Sequence, residues 1–204
     1  MSQRTAPPTR GCSSFGATRY NGRVLEEGDP QEPVLSPELA EGSKGWLLKA
    51  LREAGSSLLW ELYGLDEEEL RWRPGEGEWS LKEIAAHLRD AEELALAQLN
   101  AFVSLSPSPL PAWNVDLLPQ ERDYQGEEIA GLLASFRGMR RETTYLLWGL
   151  TEADWQRAAE HPYRGPVTLE EVARELAQHD LEHLWQVRQL KERLREAVPA
   201  REDD

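Results

Sequence analysis

The apolar residues of this chain recur every three or four positions in four long segments, and this spacing constrains the fold more than any other feature. Such spacing places apolar side chains along one face of a helix. The four faces comprise Leu48, Leu51, Gly55, Leu58 and Leu62; Ile84, Leu88, Ala91, Ala95, Leu99 and Phe102; Ile129, Leu132, Leu133, Phe136, Met139, Thr143, Leu146, Leu147 and Leu150; and Val172, Leu176, His179, His183, Gln186 and Leu190. No segment sustains the period of two that is typical of half-buried strands. The sequence therefore predicts an all-α fold, a four-helix bundle.

Two capping boxes and a proline-rich segment predict where helices begin and end. The boxes, with Ser or Thr followed three residues later by Glu, span residues 80–83 and 168–171 and should open the second and fourth helices. Prolines 107, 109 and 111 should end the second helix and begin a long loop, 104–126, that we expect to determine substrate specificity. We expect large rings to fill the core and the ends of the bundle, among them Trp46, Trp60, Trp148 and Trp185.

Composition divides the chain into three parts. Residues 1–43 are rich in Gly, Pro and Ser and lack a sustained apolar period, so we predict a disordered N-terminal tail. Residues 44–197 should form the bundle, and residues 198–204 an acidic C-terminal tail.

Charge and cysteine content exclude several classes of function. The chain has 23 Lys and Arg against 37 Asp and Glu, a net charge of -14, which argues against nucleic acid or an anionic membrane as partner. No apolar run approaches the roughly 18 residues of a membrane-spanning helix, so we expect a soluble, cytoplasmic protein. The single Cys12 rules out an internal disulfide and a Cys-based zinc finger.

The histidines stand at unusual positions. His179 and His183 lie one turn apart on the apolar face of the last helix, and His87 lies on the inward face of the second. Across a bundle core the three imidazoles could converge on a divalent ion and leave at least one coordination position open. Alternatively, carboxylates such as Glu175 or Glu182 satisfy these rings. A fourth histidine, 161, falls in a predicted loop, where we expect it to be solvated.

Two segments resemble a known family. Residues 73–88, R-P-G-E-G-E-W-S-L-K-E-I-A-A-H-L, resemble the start of the second helix in the DinB/YfiT-like superfamily. Residues 179–186, H-D-L-E-H-L-W-Q, are similar to the H-x-x-x-H-x-x-Q pattern of its last helix. The resemblance covers about residues 44–195. It implies a four-helix bundle in which His87, His179 and His183 bind a divalent metal, with zinc, nickel and iron all found among relatives.

The resemblance also implies candidate activities. Characterised members of the family include transferases that use low-molecular-weight thiols and a mycothiol-dependent isomerase. We therefore expect metal-dependent transfer of such a thiol to a small electrophilic substrate. The alternatives are a metal-dependent hydrolase of a small ester or amide, and a non-enzymatic metal-binding or dimeric bundle. The Trp and Leu content is compatible with a homodimer.

Three further side chains are candidates for catalysis or for orienting the histidines. Glu83 and Asp90 flank His87 at i-4 and i+3, and Gln186 follows His183 at i+3 on the apolar face. Asp180 occupies the position of the glutamate in the H-E-x-x-H motif, but its side chain is one carbon shorter. A zincin-type protease is therefore a poor match.

Overall fold

The computed structural model describes residues 44–104, 109–115 and 118–197. In chain order the elements are α1 (Lys44–Leu62), α2 (Glu67–Arg71), α3 (Leu81–Val103), α4 (Leu118–Glu121), α5 (Ile129–Trp148), α6 (Glu152–Trp155), β1 (Ala158–His161), β2 (Gly165–Thr168) and α7 (Leu169–Ala197). The long helices α1, α3, α5 and α7 confirm the predicted bundle. The tails predicted for residues 1–43 and 198–204 lie outside the described residues. In the described ranges, every helix is too short or too polar to cross a bilayer.

The four long helices pack around separate apolar clusters at the two ends of the bundle. Helix α3 packs against α5 and α7, and α1 packs against the same two helices, so the order around the bundle is α1, α5, α3, α7. Each fully buried large aliphatic side chain contributes about 1.5–3 kcal/mol. One end of the core contains Leu47, Leu51, Leu99, Leu147, Trp155 and Leu176, and the other contains Leu58, Leu62, Ile84, Leu88, Phe136 and Val187.

Both predicted capping boxes are confirmed. At the start of α3, the Glu83 amide donates to Ser80 Oγ, and the Ser80 amide donates to Glu83 Oε2 over 2.8 Å. At the start of α7, Thr168 and Glu171 make the equivalent pair of bonds, 2.6 and 3.2 Å long. These bonds satisfy backbone donors that the first turn of a helix leaves without intrahelical partners. They fix the starts of the two helices that carry the three histidines.

The expectation for the tryptophans is wrong at three positions. Trp46, Trp60 and Trp148 are 51, 76 and 73% exposed, while Trp185 is half-buried. Trp60 lies two positions from both Leu58 and Leu62, and a helix turns about 200° in two residues, so its ring points away from the core. The tryptophan that packs inside the core is Trp155, which is 1% exposed.

A β-hairpin stands between α6 and α7, where the sequence analysis had predicted a loop. Strands β1 and β2 pair antiparallel, with Ala158 opposite Thr168 and His161 opposite Gly165. Gly165 adopts φ 77°, a left-handed conformation that glycine tolerates best. Four-residue strands are too short to show a clear period of two. The hairpin buries His161, whose Nδ1 accepts a hydrogen bond from the Tyr163 amide, so the expectation of a solvated ring is wrong.

Candidate metal centre

Three histidine rings converge between α3 and α7. His87 comes from α3, and His179 and His183 come from successive turns of α7. His179 Nε2 lies 3.0 Å from Nε2 of His87 and 3.1 Å from Nε2 of His183. One ligand atom from each ring lies within 4.8 Å of the others, an arrangement that could hold a metal ion. His87 and His183 are buried, while His179 is half-buried and is the ring most open to an incoming molecule.

The surroundings of all three rings favour the neutral imidazole over the charged form. Burial lowers the pKa of His87 and of His179 well below the ordinary value, and the neighbouring His183 ring lowers both further. The backbone of Val115 acts against this and raises the pKa of His87. Burial also lowers the pKa of His183, although its bond to Gln186 opposes the change. Neutral imidazoles are the form that binds metal.

Gln186 fixes which nitrogen of His183 faces the cluster. Its Oε1 lies 2.8 Å from His183 Nδ1. An amide oxygen can only accept, so Nδ1 carries the proton and Nε2 presents its lone pair to the other two histidines. Such partners commonly orient metal-binding histidines and increase their basicity. The predicted contact between Gln186 and a histidine is therefore present in the structure.

The two separations that involve His179 suit ligands of one divalent ion. Metal–nitrogen bonds of about 2.0–2.1 Å place two ligand nitrogens about 2.9 Å apart in octahedral geometry and about 3.4 Å apart in tetrahedral geometry. The observed separations of 3.0 and 3.1 Å fall between these values. Buried lone pairs that point at one another are unfavourable without a cation or proton between them. Three imidazoles suit zinc, nickel and iron alike.

An indole ring covers one side of the cluster. Trp79 packs edge-on against His87, with ring centroids 4.9 Å apart, and parallel to His183 at 6.3 Å. Trp79 directly precedes Ser80, the N-cap of α3, so the capping box also positions this ring. Trp79 is not among the site residues predicted from the sequence. Its position immediately before the capping box is the signal that could have identified it.

Glu83 and Asp90 make their observed hydrogen bonds elsewhere. Glu83 closes the capping box and pairs with Arg73, and these partners lower its pKa although burial opposes the change. Asp90 is fully buried and accepts from Tyr124 Oη over 2.5 Å and from Arg122 over 2.6 Å. The Asp90 contacts hold residues 122 and 124, near the start of α5, against the middle of α3.

The two carboxylates proposed as alternative partners for the rings also have other contacts. Glu175 forms a two-pronged pair with Arg164 of the hairpin turn, with bonds of 2.8 and 2.5 Å. Glu182 accepts from Gln178 of its own helix. The observed hydrogen bonds of Glu175 and Glu182 therefore go to Arg164 and Gln178, whereas the Nε2 atoms of His87 and His183 both lie beside Nε2 of His179.

A buried ion cluster, formed by Glu92, Arg140 and Asp180, adjoins the centre. Arg140 Nε lies 3.0 Å from Glu92 Oε2, and its Nη1 lies 2.5 Å from Asp180 Oδ2. The side chains of Arg140, Glu92 and Asp180 are nearly inaccessible, at 7, 0 and 1% exposure. The cluster was not predicted from the sequence because its members are spread over three helices. A charged residue on an otherwise apolar helix face, as Arg140 is on α5, was the available signal.

The hydrogen bond between Gln186 and His183 should strengthen metal binding. Replacing Gln186 by leucine removes the acceptor for His183 Nδ1–H and releases the ring from its orientation. We expect the dissociation constant for Zn²⁺, measured by competition with a chromophoric chelator, to increase about 10- to 100-fold. Gln189→Leu, on the same helix, is the matched control and should bind like wild type. Equal affinity in Gln186→Leu would show that the bond does not orient the ring.

Comparison with known proteins identifies the family of this chain. The sequence profile of the DinB superfamily matches residues 50–187. The uncharacterized protein YuaE of Bacillus subtilis strain 168 is 26% identical over 149 residues, which cover 67% of this chain and 92% of that protein.

Two solved structures are similar in fold. One is YfiT from Bacillus subtilis, described as a probable metal-dependent hydrolase with an unusual four-helix bundle topology. It has a TM-score of 0.65 and 19% identity over 83% of this chain and 94% of that one. A mycothiol-dependent maleylpyruvate isomerase has a TM-score of 0.56 and 13% identity over 71% of this chain and 62% of that one. Identities this low establish the fold alone. The family profile, in contrast, matches well over half of the sequence, and this match establishes the family. The chain belongs to the DinB superfamily.

Proposed function

We propose that this protein is a metal-dependent transferase that joins a low-molecular-weight thiol to a small electrophilic molecule. The observation that carries the proposal is the convergence of three imidazole Nε2 atoms, one of them on the half-buried ring of His179. A thiol as co-substrate is supported by the structural likeness to an isomerase that depends on mycothiol.

The residues of the centre have separate roles in this reaction. His87, His179 and His183 would hold zinc, nickel or iron, and the ion would supply Lewis acidity that lowers the pKa of a thiol, since the thiolate is the nucleophile. Gln186 keeps the His183 lone pair directed inward. Trp79 excludes water from one side of the cluster. The thiol loses its proton to solvent, its sulfur forms a bond to the electrophilic carbon, and the leaving group departs with its electron pair.

Hydrolysis of a small ester or amide is the second candidate, because one structural neighbour is described as a probable metal-dependent hydrolase. In the zincin motif a carboxylate next to the first histidine acts as general base. Here Asp180 holds that position, but it is 1% exposed and pairs with Arg140. A hydrolytic reaction would therefore require a different base.

Product analysis distinguishes the candidates. The protein, loaded in turn with Zn²⁺, Ni²⁺ and Fe²⁺, is incubated in ¹⁸O-labelled water with cysteine and either a chloronitrobenzene or a nitrophenyl ester. We expect the thioether to form at least about 100-fold faster than with His183→Ala, equivalent to about 2.7 kcal/mol of transition-state stabilisation by the Lewis acid. Incorporation of ¹⁸O into the carboxylate product, with the cysteine thiol recovered unreacted, would favour the hydrolase. Bound metal without either reaction would contradict both enzymatic candidates.

A further inference from the structure

One guanidinium group contacts all the other long helices of the bundle. From α5, Arg140 donates through Nε and Nη2 to Glu92 of α3, through Nη1 to Asp180 of α7, and through Nη1 to the Leu51 carbonyl of α1 over 2.8 Å. The planar guanidinium fork holds its donors in fixed directions. The relative placement of the four helices is therefore tied to this one side chain.

The surrounding residues make room for this side chain and restrain it. A Cβ at Gly55 of α1 would lie only 3.2 Å from Arg140 Nη1, so glycine lets the helix approach closely. The Phe136 ring lies 4.9 Å from the guanidinium carbon. Thr143 donates to Glu92 Oε1 over 2.5 Å and holds the carboxylate that Arg140 binds. The cluster is thus fixed on several sides.

The cluster lies next to the histidines along the chain and in space. Asp180 directly follows His179 on α7, and Glu92 follows His87 by five residues on α3. Through its bonds to Glu92 and Asp180, Arg140 joins α3 and α7 close to these two histidines. The two carboxylates therefore restrain the same two helices, α3 and α7, that present the three imidazoles.

We propose that Glu92, Arg140 and Asp180 are positioning residues that set the separation and register of α3 and α7, and so preorganise His87 and His179 around one metal ion. A buried ion pair gives little net stability compared with well-packed apolar side chains. Its benefit in this bundle is geometric, because the ligand nitrogens must stay within a few tenths of an ångström of their positions. The inference rests on the metal centre of the proposed function.

The decisive variant replaces the whole cluster by apolar side chains, Glu92→Leu with Arg140→Met and Asp180→Leu, in the full-length protein. Without metal, the melting temperature of this triple variant should stay within a few degrees of the wild-type value, since such replacements are often neutral or stabilising. We expect the dissociation constant for Co²⁺ to rise about 10- to 100-fold and the visible Co²⁺ spectrum to change. Glu170→Gln, also on α7 but paired at the surface with Arg174, should leave both unchanged.

A milder variant covers the case in which the triple variant does not fold. Thr143→Val removes one hydrogen bond to Glu92 and should weaken Co²⁺ binding about threefold or more. If the triple variant folds and keeps the wild-type Co²⁺ affinity and spectrum, the inference is overturned. If the triple variant does not fold, the same result in Thr143→Val overturns it. Failure of the wild-type protein itself to bind Co²⁺ would instead contradict the proposed function.

Discussion

Replacing Arg140 by methionine is expected to lower the free energy of unfolding by about 3–5 kcal/mol. The substitution leaves the Glu92 and Asp180 carboxylates buried at the centre of the bundle without their cation. It also leaves the Leu51 carbonyl without the Arg140 donor. A single uncompensated buried charge is among the most destabilising changes a core can undergo.

Urea unfolding followed by circular dichroism measures this loss. Arg141→Met is the matched control, because the neighbouring residue on α5 is exposed and such surface substitutions usually change stability by less than about 0.5 kcal/mol. A loss below about 1 kcal/mol for Arg140→Met would mean that the carboxylates gain no stabilisation from the guanidinium. The ion cluster would then have no structural role.

Replacing His179 by alanine is expected to abolish metal binding at micromolar concentrations. His179 Nε2 lies 3.0 and 3.1 Å from the other two Nε2 atoms, so its loss leaves a two-histidine site open to water. Loss of one of three ligands should weaken Zn²⁺ binding by at least about a thousandfold, or about 4 kcal/mol.

Melting with and without Zn²⁺ provides the readout for this prediction. A ligand that binds only the folded state at 100 times its dissociation constant stabilises that state by about 2.7 kcal/mol, and the wild-type protein should show this gain. The His179→Ala variant should show none. His161→Ala is the control, because it removes a buried histidine of the hairpin and should keep the full gain. Stabilisation retained in His179→Ala would place the metal elsewhere.

The elements that local sequence determines could be predicted. The capping boxes at Ser80 and Thr168 act within three residues of their own position, and both lie where the sequence placed them. The spacing of His179 and His183 is likewise a property of one helix. Their meeting with His87 depends on packing, but an imidazole on an apolar face already requires a polar partner across the core.

Contacts between distant segments could not be predicted in this way. Arg140 and Asp180 are 40 residues apart, and their pairing depends on the order of the helices around the bundle, which periodicity does not specify. The stacking of Trp79 on His183 arises from the same packing. The exposure of Trp60 shows that ring size alone is a poor guide, because the helix phase set by Leu58 and Leu62 decides which side chains turn inward.

The metal content of the untagged full-length protein tests the central claim most directly. Plasma mass spectrometry is applied to wild type and to His183→Ala, both before and after incubation with Zn²⁺ and Ni²⁺ and removal of the excess. The three-histidine centre predicts about one equivalent of a divalent metal per wild-type chain and a negligible amount in the variant. Absence of metal from both proteins after incubation, or equal metal in both, would contradict it.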